Sequence, residues 1–225
     1  GTVVDWRSTV ISEGEALGAL YGWEVDWEKF ADEWRLDGYI EGMRRVVRGE
    51  LPWMNVDALH RRKLDELLLR QGLSLSEEEA AHFNRVWHRL LPWPDTVRGL
   101  ALLRQRYVTA TLSNGNVALL TNMNKAAGMI YDCVLSSELF HAYKPDPRVY
   151  RGSAELLGFA PDETMLVAAH TCDLEGARAA GLPTAFVERP LQWGPDGPPE
   201  PEPETPFDVV ATDFLDLAGK LEVAR

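Results

Sequence analysis

The stretch that decides the fold is YVTATLSNG, at residues 107–115. Residues 107–112 are rich in β-branched and apolar side chains and predict a strand, and Ser-Asn-Gly predicts a turn directly after it. Two further segments stand in similar places: the lysine segment 143–146 lies a few residues past an apolar run, and the segment 170–173 directly follows another. Open α/β sheets carry their chemistry at the carboxyl ends of strands. A hydroxyl, an amide, a lysine and a carboxylate are therefore predicted to meet in one pocket.

Predicted strands alternate with predicted helices on both sides of this stretch. Gly128 is a typical residue for ending the helix predicted over 117–127. Asp146-Pro147 is a typical start for the next helix. The alternation predicts an α/β fold with a Rossmann-like, doubly wound and mainly parallel sheet covered on both faces. The predicted strands are 107–112, 131–135, 164–169, 184–187 and 208–211, and the predicted helices 117–127, 148–157, 173–180 and 213–221. The segment 194–206, rich in Pro, Gly and Glu, predicts a solvated loop.

Residues 11–91 have a different pattern, because their apolar side chains recur at helical spacing. Ser76 and Glu79 have the spacing of a capping box, and the Pro-Trp-Pro segment 92–94 ends the helical run. We therefore predict a core domain of residues 1–10 and 92–225 with an all-helical cap domain, residues 11–91, inserted into it.

Composition bounds the partners and the cellular location. The chain has 225 residues, 45% hydrophobic content and a formal net charge of -12. That charge argues against nucleic acid and against an anionic membrane as the main partner, since both repel an acidic surface. The two cysteines, Cys133 and Cys172, form no disulfide or metal-ligand pattern and favour a reducing cytoplasm. No apolar run is long enough to span a bilayer.

The combination of segments resembles one known superfamily. Gly1-Thr2, the 113–115 turn, the 144–146 segment and Asp173, with a helical insertion after the first of them, are similar to the haloacid dehalogenase superfamily. Members carry a nucleophilic aspartate in an Asp-x-x-Gly-Thr segment at the end of the central strand. The resemblance covers essentially the whole chain. It implies an aspartate nucleophile three residues before Gly1, on a strand that precedes the sequence given.

Within the superfamily the chain looks most like the L-2-haloacid dehalogenases. Segment 144–150 is similar to their lysine segment, 1–5 to their first turn, and Arg35 to the cap arginine that grips the substrate. Phosphatases of the superfamily carry Gly-Asp-x-x-x-Asp at the fourth motif, where the first aspartate binds magnesium. This chain has Ala169 there. Since magnesium needs several oxygen ligands, we expect metal-free displacement on a small 2-haloacid, with no cofactor and no metal site.

The resemblance implies a mechanism with named roles. The upstream aspartate attacks the α-carbon of the haloacid, halide leaves, and water hydrolyses the resulting aspartyl ester. Lys144 supplies positive charge beside the nucleophile. Ser113 and Thr2 donate hydrogen bonds to the carboxylates, and Asp173 orients Lys144 or the hydrolytic water.

A second group of residues is expected around the substrate. Arg35 and Asn114 line the side where halide departs, and Trp6 lies close to the first motif. His170 departs from the resembling enzymes, which commonly have asparagine there and usually a serine two residues earlier, where this chain has Ala168. Its imidazole is expected either to activate water or to donate a hydrogen bond to the departing halide. A compact pocket of this kind suits a small halide such as fluoride.

Other interpretations stay open at the level of sequence. The 113–115 turn is also typical of a simple strand-to-helix connection, Asp173 of a helix cap, and Arg35 has rivals in Arg44, Arg45 and Arg48. A magnesium-dependent phosphatase or phosphonatase and a catalytically inactive binding module are the alternative functions. Homodimers are common in the resembling family, so a homodimer is expected here.

Overall fold

The computed structural model describes residues 1–203 and 205–222, and its first part is helical. The first helix begins at Trp6, earlier than the predicted residue 11, because the Asp5 carboxylate accepts a hydrogen bond from Ser8 N at 3.0 Å and caps it. Within the described ranges no helix is long and apolar enough to cross a membrane. The helices are α1 Trp6–Tyr21, α2 Trp27–Glu33, a π-helix Trp34–Glu41, α3 Gly42–Val47, α4 Val56–Gln71, α5 Glu77–Asn84 and a 3₁₀ helix Arg85–His88.

The two ends of the helical stretch lie side by side. Strand β1, Val4–Asp5, pairs antiparallel with β2, Leu91–Pro92, on the far side of the stretch. This geometry is what an inserted helical unit requires. The division into a core of residues 1–10 and 92–225 and a cap of residues 11–91 stays a prediction. The capping box at the start of α5 is present, with Ser76 and Glu79 bonded reciprocally.

The second part of the chain is the predicted α/β fold, in which every strand pairs in parallel. β3 pairs with β4, and β5, β6 and β7 form a three-stranded sheet in that order. The strands are β3 Ala110–Ser113, β4 Cys133–Ser136, β5 Leu166–Ala168, β6 Thr184–Val187 and β7 Val209–Ala211. The helices are α6 Thr96–Leu103, α7 Val117–Ala127, α8 Pro147–Leu157, α9 Thr171–Ala179 and α10 Phe214–Lys220.

Among the boundaries that differ from those predicted, two have a cause that the contacts show. β3 begins at Ala110 and not at residue 107, because the Asp132 carboxylate accepts hydrogen bonds from both Thr109 N, at 2.9 Å, and Thr109 Oγ1, at 3.1 Å. That backbone donor is therefore satisfied by a side chain instead of a partner strand. α9 begins at Thr171 with His170 as its N-cap, so Asp173 lies in the first turn of the helix and does not cap it.

The hydrophobic core joins the helical stretch to the sheet. Trp6, Trp34 and Trp87 are among its largest fully buried side chains, and the same cluster includes Val187 and Ala211 of the sheet. Trp6, which the sequence predicted close to the first motif, therefore lies in this core together with Trp34 and Trp87. The shared core fixes the helical stretch against the carboxyl edge of the strands, where the predicted site residues lie.

Candidate active site

Lys144 lies at the centre of the predicted pocket and links the three strand-end segments. Its Nζ is 2.6 Å from Asp173 Oδ2 and donates to the carbonyl of Leu112 at 2.8 Å. Its backbone N donates to Asn114 Oδ1 at 2.9 Å. The side chain is only 11% exposed, so its positive charge is poorly screened by water. The structure thus brings together the segments that the sequence predicted to meet.

Asp173 is held on both of its carboxylate oxygens. Oδ2 binds Lys144, and the hydroxyl of Tyr150 donates to Oδ1 at 2.8 Å. The residue lies in the first turn of α9, where the helix dipole favours a negative charge. Burial, with the Asp173 charge nearby, raises the pKa of the Tyr150 phenol, which keeps this group a proton donor. The arrangement fixes Lys144 in position.

The turn at the end of β3 has a structural role, and the hydroxyl of its Ser113 also has a proton to donate. Ser113 Oγ accepts a hydrogen bond from Gly115 N at 3.0 Å, as in a strand-to-helix turn. Asn114 uses its carbonyl oxygen on Lys144 N. Within the described residues the hydroxyl of Ser113 has an acceptor bond only, so its own proton can be donated to an anion.

Thr2 joins the first segment to the end of β5. Its Oγ1 accepts from Ala169 N at 3.0 Å, and its carbonyl accepts from Arg189 Nε at 2.8 Å. Gly1 packs so closely that a Cβ atom there would lie 2.4 Å from Gln192 Oε1 and 3.3 Å from His170 Cε1. A side chain at residue 1 would therefore displace the Gln192 amide, and His170 lies directly against the first motif.

His170 is half-buried, and the positive charges around it favour the neutral form of its imidazole. Burial, followed by the positive charges of the Gly1 amine, Arg35 and Lys144, lowers the pKa of its imidazole to about 3. Its Nε2 lies 3.0 Å from the side-chain oxygen of Gln192. A neutral imidazole has one protonated nitrogen and one nitrogen with a free lone pair, so it offers one hydrogen-bond donor and one acceptor.

Arg35 belongs to a closed ring of stacked planar groups, which we call the aromatic ring cluster: Trp6, Arg35, Tyr39, His60 and Trp87. The guanidinium carbon lies 5.1 Å from the ring centroid of Trp6 and 4.6 Å from that of Tyr39. Tyr39 stacks on His60 at 5.6 Å, His60 on Trp87 at 4.2 Å, and Trp87 on Trp6 at 6.2 Å. Cation–π contacts thus hold the guanidinium.

Arg35 differs from its three rivals in the sequence, Arg44, Arg45 and Arg48, in having no carboxylate partner among the described residues. Arg44 and Arg48 pair with Glu41, and Arg45 pairs with Glu50, all on exposed surface. No ion pair to Arg35 occurs within residues 1–203 and 205–222, and its buried Nε makes no hydrogen bond there. Burial lowers the pKa of the Arg35 guanidinium, although arginine stays charged in proteins. Its charge is therefore left for a bound anion.

The residues at this edge do not fit the magnesium of the related phosphatases. The Ala169 methyl group stands where their first ligand would be, and both oxygens of Asp173 are bound by Lys144 and Tyr150. Across the part of the chain that the structure describes, no group of three or more His, Cys, Asp or Glu side chains could hold a metal ion.

The segment predicted as a solvated loop, residues 194–206, makes contacts with the start of α9. One of its residues, Glu204, lies outside the described residues. The Glu200 carboxylate accepts from Thr171 N at 2.7 Å, and the carbonyl of Pro201 accepts from Thr171 Oγ1 at 2.6 Å. Both groups cap α9 from outside the helix. Pro201 is exposed, as a solvated loop predicts, while Glu200 is half-buried because the start of α9 offers unpaired donors.

Several residues at the site were not found from the sequence. Tyr150 lies in the lysine segment and could have been found by its spacing from Lys144. Tyr39 and His60 reach the site through helix packing, and Gln192 reaches it through the loop after β6. No sequence pattern marks these three, because their contacts join distant parts of the chain.

The fold and the site define a hydrolase with a parallel sheet, a helical insertion and a lysine–aspartate pair at the carboxyl edge. A family model described as haloacid dehalogenase-like hydrolase matches residues 3–181. In solved structures, the L-2-haloacid dehalogenase PA0810 has a TM-score of 0.91 and 44% identity, covering 98% of this chain and 95% of that one. The defluorinating L-2-haloacid dehalogenase Rha0230 has a TM-score of 0.93 and 41% identity, covering 98% and 91%.

A curated relative identified by sequence belongs to the same class of enzyme. (S)-2-haloacid dehalogenase 1 of Pseudomonas sp. (strain CBS-3) is 28% identical over 192 residues, covering 84% of this chain and 81% of that protein. The chain belongs to the haloacid dehalogenase-like hydrolases and, among them, to the L-2-haloacid dehalogenases. It is a hydrolase of the class that acts on carbon–halide bonds, with 2-haloacids as the substrates for which its family is named.

Proposed function

We propose that this protein is a metal-independent dehalogenase of small 2-haloacids of the haloacetate type, fluoroacetate included, and that it works through an aspartyl ester. The observation that carries the proposal is a pair of partly buried cations in an acidic protein. Lys144 is paired with Asp173, while Arg35 has no carboxylate partner among the described residues. Such a site attracts a small anion locally although the chain has a formal net charge of -12.

The reaction consists of two substitutions. A carboxylate oxygen of the aspartate expected three residues before Gly1 forms a bond to the α-carbon, and the carbon–halogen bond breaks with its electron pair leaving on the halide. Water then adds to the carbonyl carbon of the new ester. The tetrahedral intermediate that forms then collapses, which releases the 2-hydroxyacid and restores the aspartate. The whole reaction gives one proton to solvent. Covalent catalysis divides one hard substitution into two easier ones.

The positions of the predicted residues support their assigned roles. Lys144 places positive charge at the carboxyl edge of the sheet, beside the turn that follows the nucleophile, and Asp173 with Tyr150 holds it there. Ser113 has a proton to donate to a carboxylate, and Thr2 Oγ1 lies at the end of β5. Charge-assisted hydrogen bonds of this kind orient an anion firmly.

The halide side of the pocket is assigned to the cap. Arg35 is held between the rings of Trp6 and Tyr39 and offers its charge to the departing halide. Asn114 accepts from Lys144 N through its oxygen, and its amide N–H side faces the Tyr39 hydroxyl, which places that amide in the same part of the pocket. Burial raises the pKa of Tyr39, so its hydroxyl stays protonated beside these groups.

The first test is release of halide by the full-length protein in the presence of a chelator. We expect chloride from chloroacetate and fluoride from fluoroacetate at rates that EDTA leaves unchanged, because Ala169 removes the expected metal ligand. Halide is measured by ion chromatography, with p-nitrophenyl phosphate as the competing substrate. Phosphate release that needs added magnesium, without halide release, would establish the phosphatase alternative. Absence of both would favour the inactive binding module.

His170→Asn is expected to lower fluoride release from fluoroacetate by about 10²-fold, the lower end of what a positioned acid or base typically contributes. The exposed His82→Asn variant is the matched control. If chloroacetate turnover falls equally, the imidazole serves ester hydrolysis, and if only fluoroacetate turnover falls, it serves the leaving halide. Unchanged defluorination would show that His170 has no special role.

The expected homodimer and cytoplasmic location belong to this proposal as well. The support for them is the family resemblance and the absence of a disulfide pattern around Cys133 and Cys172. Light scattering on the full-length protein determines its mass in solution.

A further inference from the structure

The loop after β6 places one buried amide directly on the imidazole of His170. Gln192 is only 4% exposed, and its Oε1 lies 3.0 Å from His170 Nε2. The same oxygen lies against Gly1, where it would be 2.4 Å from an added Cβ. Gln192 therefore lies beside both His170 and the first turn, which is the turn that follows the expected nucleophile.

The orientation of the Gln192 amide is set by a carboxylate. Glu200 Oε2 lies 3.5 Å from Gln192 Nε2, and Glu200 Oε1 accepts a hydrogen bond from Thr171 N at 2.7 Å. Burial raises the pKa of Glu200, while the hydrogen bond from Thr171 N favours its ionised form. An ionised carboxylate only accepts hydrogen bonds, so the amide turns its NH₂ group toward Glu200. Its oxygen, which only accepts, is then the atom that faces His170.

This orientation decides where the imidazole carries its proton. Since Gln192 Oε1 accepts, His170 Nε2 must hold the hydrogen, and Nδ1 must carry the lone pair. Within residues 1–203 and 205–222 no group hydrogen-bonds to Nδ1. The Nε2 proton is used by Gln192 and is not available to a departing halide. Of the two roles open to His170, only proton acceptance at Nδ1 fits this arrangement.

We propose that Glu200 and Gln192 fix His170 in the Nε2–H tautomer, which makes Gln192 a positioning residue for hydrolysis of the ester. The inference rests on the proposed function, because that function supplies the ester. It assigns His170 to the second half-reaction and extends the site to a loop that lies far from the strand-end segments in the sequence.

The step balances in protons and electron pairs. His170 Nδ1 takes a proton from water as the water oxygen forms a bond to the ester carbonyl carbon. The tetrahedral intermediate collapses and breaks the bond to the oxygen of the 2-hydroxyacid, and that oxygen receives the proton from the imidazolium. His170 returns to its neutral form, and the regenerated aspartic acid gives its proton to solvent.

The tautomer is measured independently of activity, by long-range ¹H–¹⁵N correlation spectra of the full-length, ¹⁵N-labelled protein. The signals of His170 are assigned by their loss in His170→Asn. We expect a protonated Nε2 and an unprotonated Nδ1 in the wild type, and loss of this preference in Gln192→Leu. Leu191→Asn, a change at the neighbouring residue that is 57% exposed, is the matched control and is expected to keep the wild-type spectrum.

Single-turnover kinetics with chloroacetate test the consequence. We expect the chloride burst of Gln192→Leu to match the wild type, while the aspartyl ester, followed by intact-protein mass spectrometry, decays at least about tenfold more slowly. Loss of the productive tautomer in a serine protease costs up to about 10⁴ in rate. Glu200→Gln, which removes the bias on the amide, is expected to lie between the two.

The outcomes separate this inference from the proposed function. If the wild type shows no halide burst, the proposed function fails, while the spectra still report the tautomer. If the burst occurs but Nδ1 carries the proton, or if Gln192→Leu clears the ester at the wild-type rate, the role of Gln192 is wrong. Melting temperatures of all variants identify any that fail to fold.

Discussion

Replacement of Lys144 by methionine is expected to lower kcat for chloroacetate by about three orders of magnitude, the scale seen when one pre-organised donor to developing charge is removed. Methionine is similar in length, so the pocket stays filled, but the charge beside the first turn is lost. The Nζ contacts to Asp173 Oδ2 and to the Leu112 carbonyl are lost with it. Chloride release under saturating substrate measures the effect.

The control for this variant must separate chemistry from folding, because Lys144→Met leaves the carboxylate of Asp173 without its cation in a site where its side chain is only 18% exposed. The double variant Lys144→Met with Asp173→Asn removes both charges and should regain thermal stability without regaining activity. Lys63→Met is the second control, since Lys63 is a buried lysine paired with Asp37 and Glu66 in the helical stretch. A folded Lys144→Met enzyme within tenfold of the wild-type rate would remove Lys144 from the mechanism.

The lysine site was predictable from the sequence because of sheet geometry. Parallel strands end at one edge, so residues that follow β3, β4 and β5 must approach each other whatever the loops do. That reasoning places Ser113, Lys144 and Asp173 together without knowledge of any contact. It does not give exact strand ends, as the Asp132 bonds to Thr109 show, since a side chain there competes with a partner strand.

The cap side of the site was predictable only in part. Arg35 was selected by resemblance, while periodicity gave no reason to prefer it over Arg44, Arg45 or Arg48. The structure supplies a physical reason, which is that those three pair with surface glutamates and Arg35 does not. Ion pairing of this kind depends on which helix faces pack together, and a single sequence does not encode it in any local pattern.

The aromatic ring cluster explains why Arg35 needs no carboxylate. Trp6 and Tyr39 contact the guanidinium, and His60 with Trp87 closes the ring behind them. Burial, with the charge of Arg35 nearby, lowers the pKa of His60 to about 3, so the imidazole is neutral and adds no competing charge. Arginine is held by stacking, and its charge stays unneutralised until an anion binds.

Arg35→Met is therefore expected to lower kcat/KM for chloroacetate by about 10²-fold, or about 2.7 kcal/mol of transition-state stabilisation. Arg35→Lys keeps the charge but loses the planar group that stacks between Trp6 and Tyr39. It should recover only part of the loss, with KM still raised. Initial rates over a range of chloroacetate concentrations separate the two parameters.

The comparison between Arg35→Lys and Arg35→Met decides how the arginine acts. If charge alone matters, lysine restores the wild-type kcat/KM, and the aromatic ring cluster is only core packing. If stacking positions the charge, lysine falls well short, and inhibition by chloride weakens in both variants because the anion has lost its fixed partner. Arg44→Met, which removes an exposed arginine paired with Glu41, should leave both parameters unchanged. A wild-type kcat/KM in Arg35→Met would place the halide elsewhere and require a different cation for it.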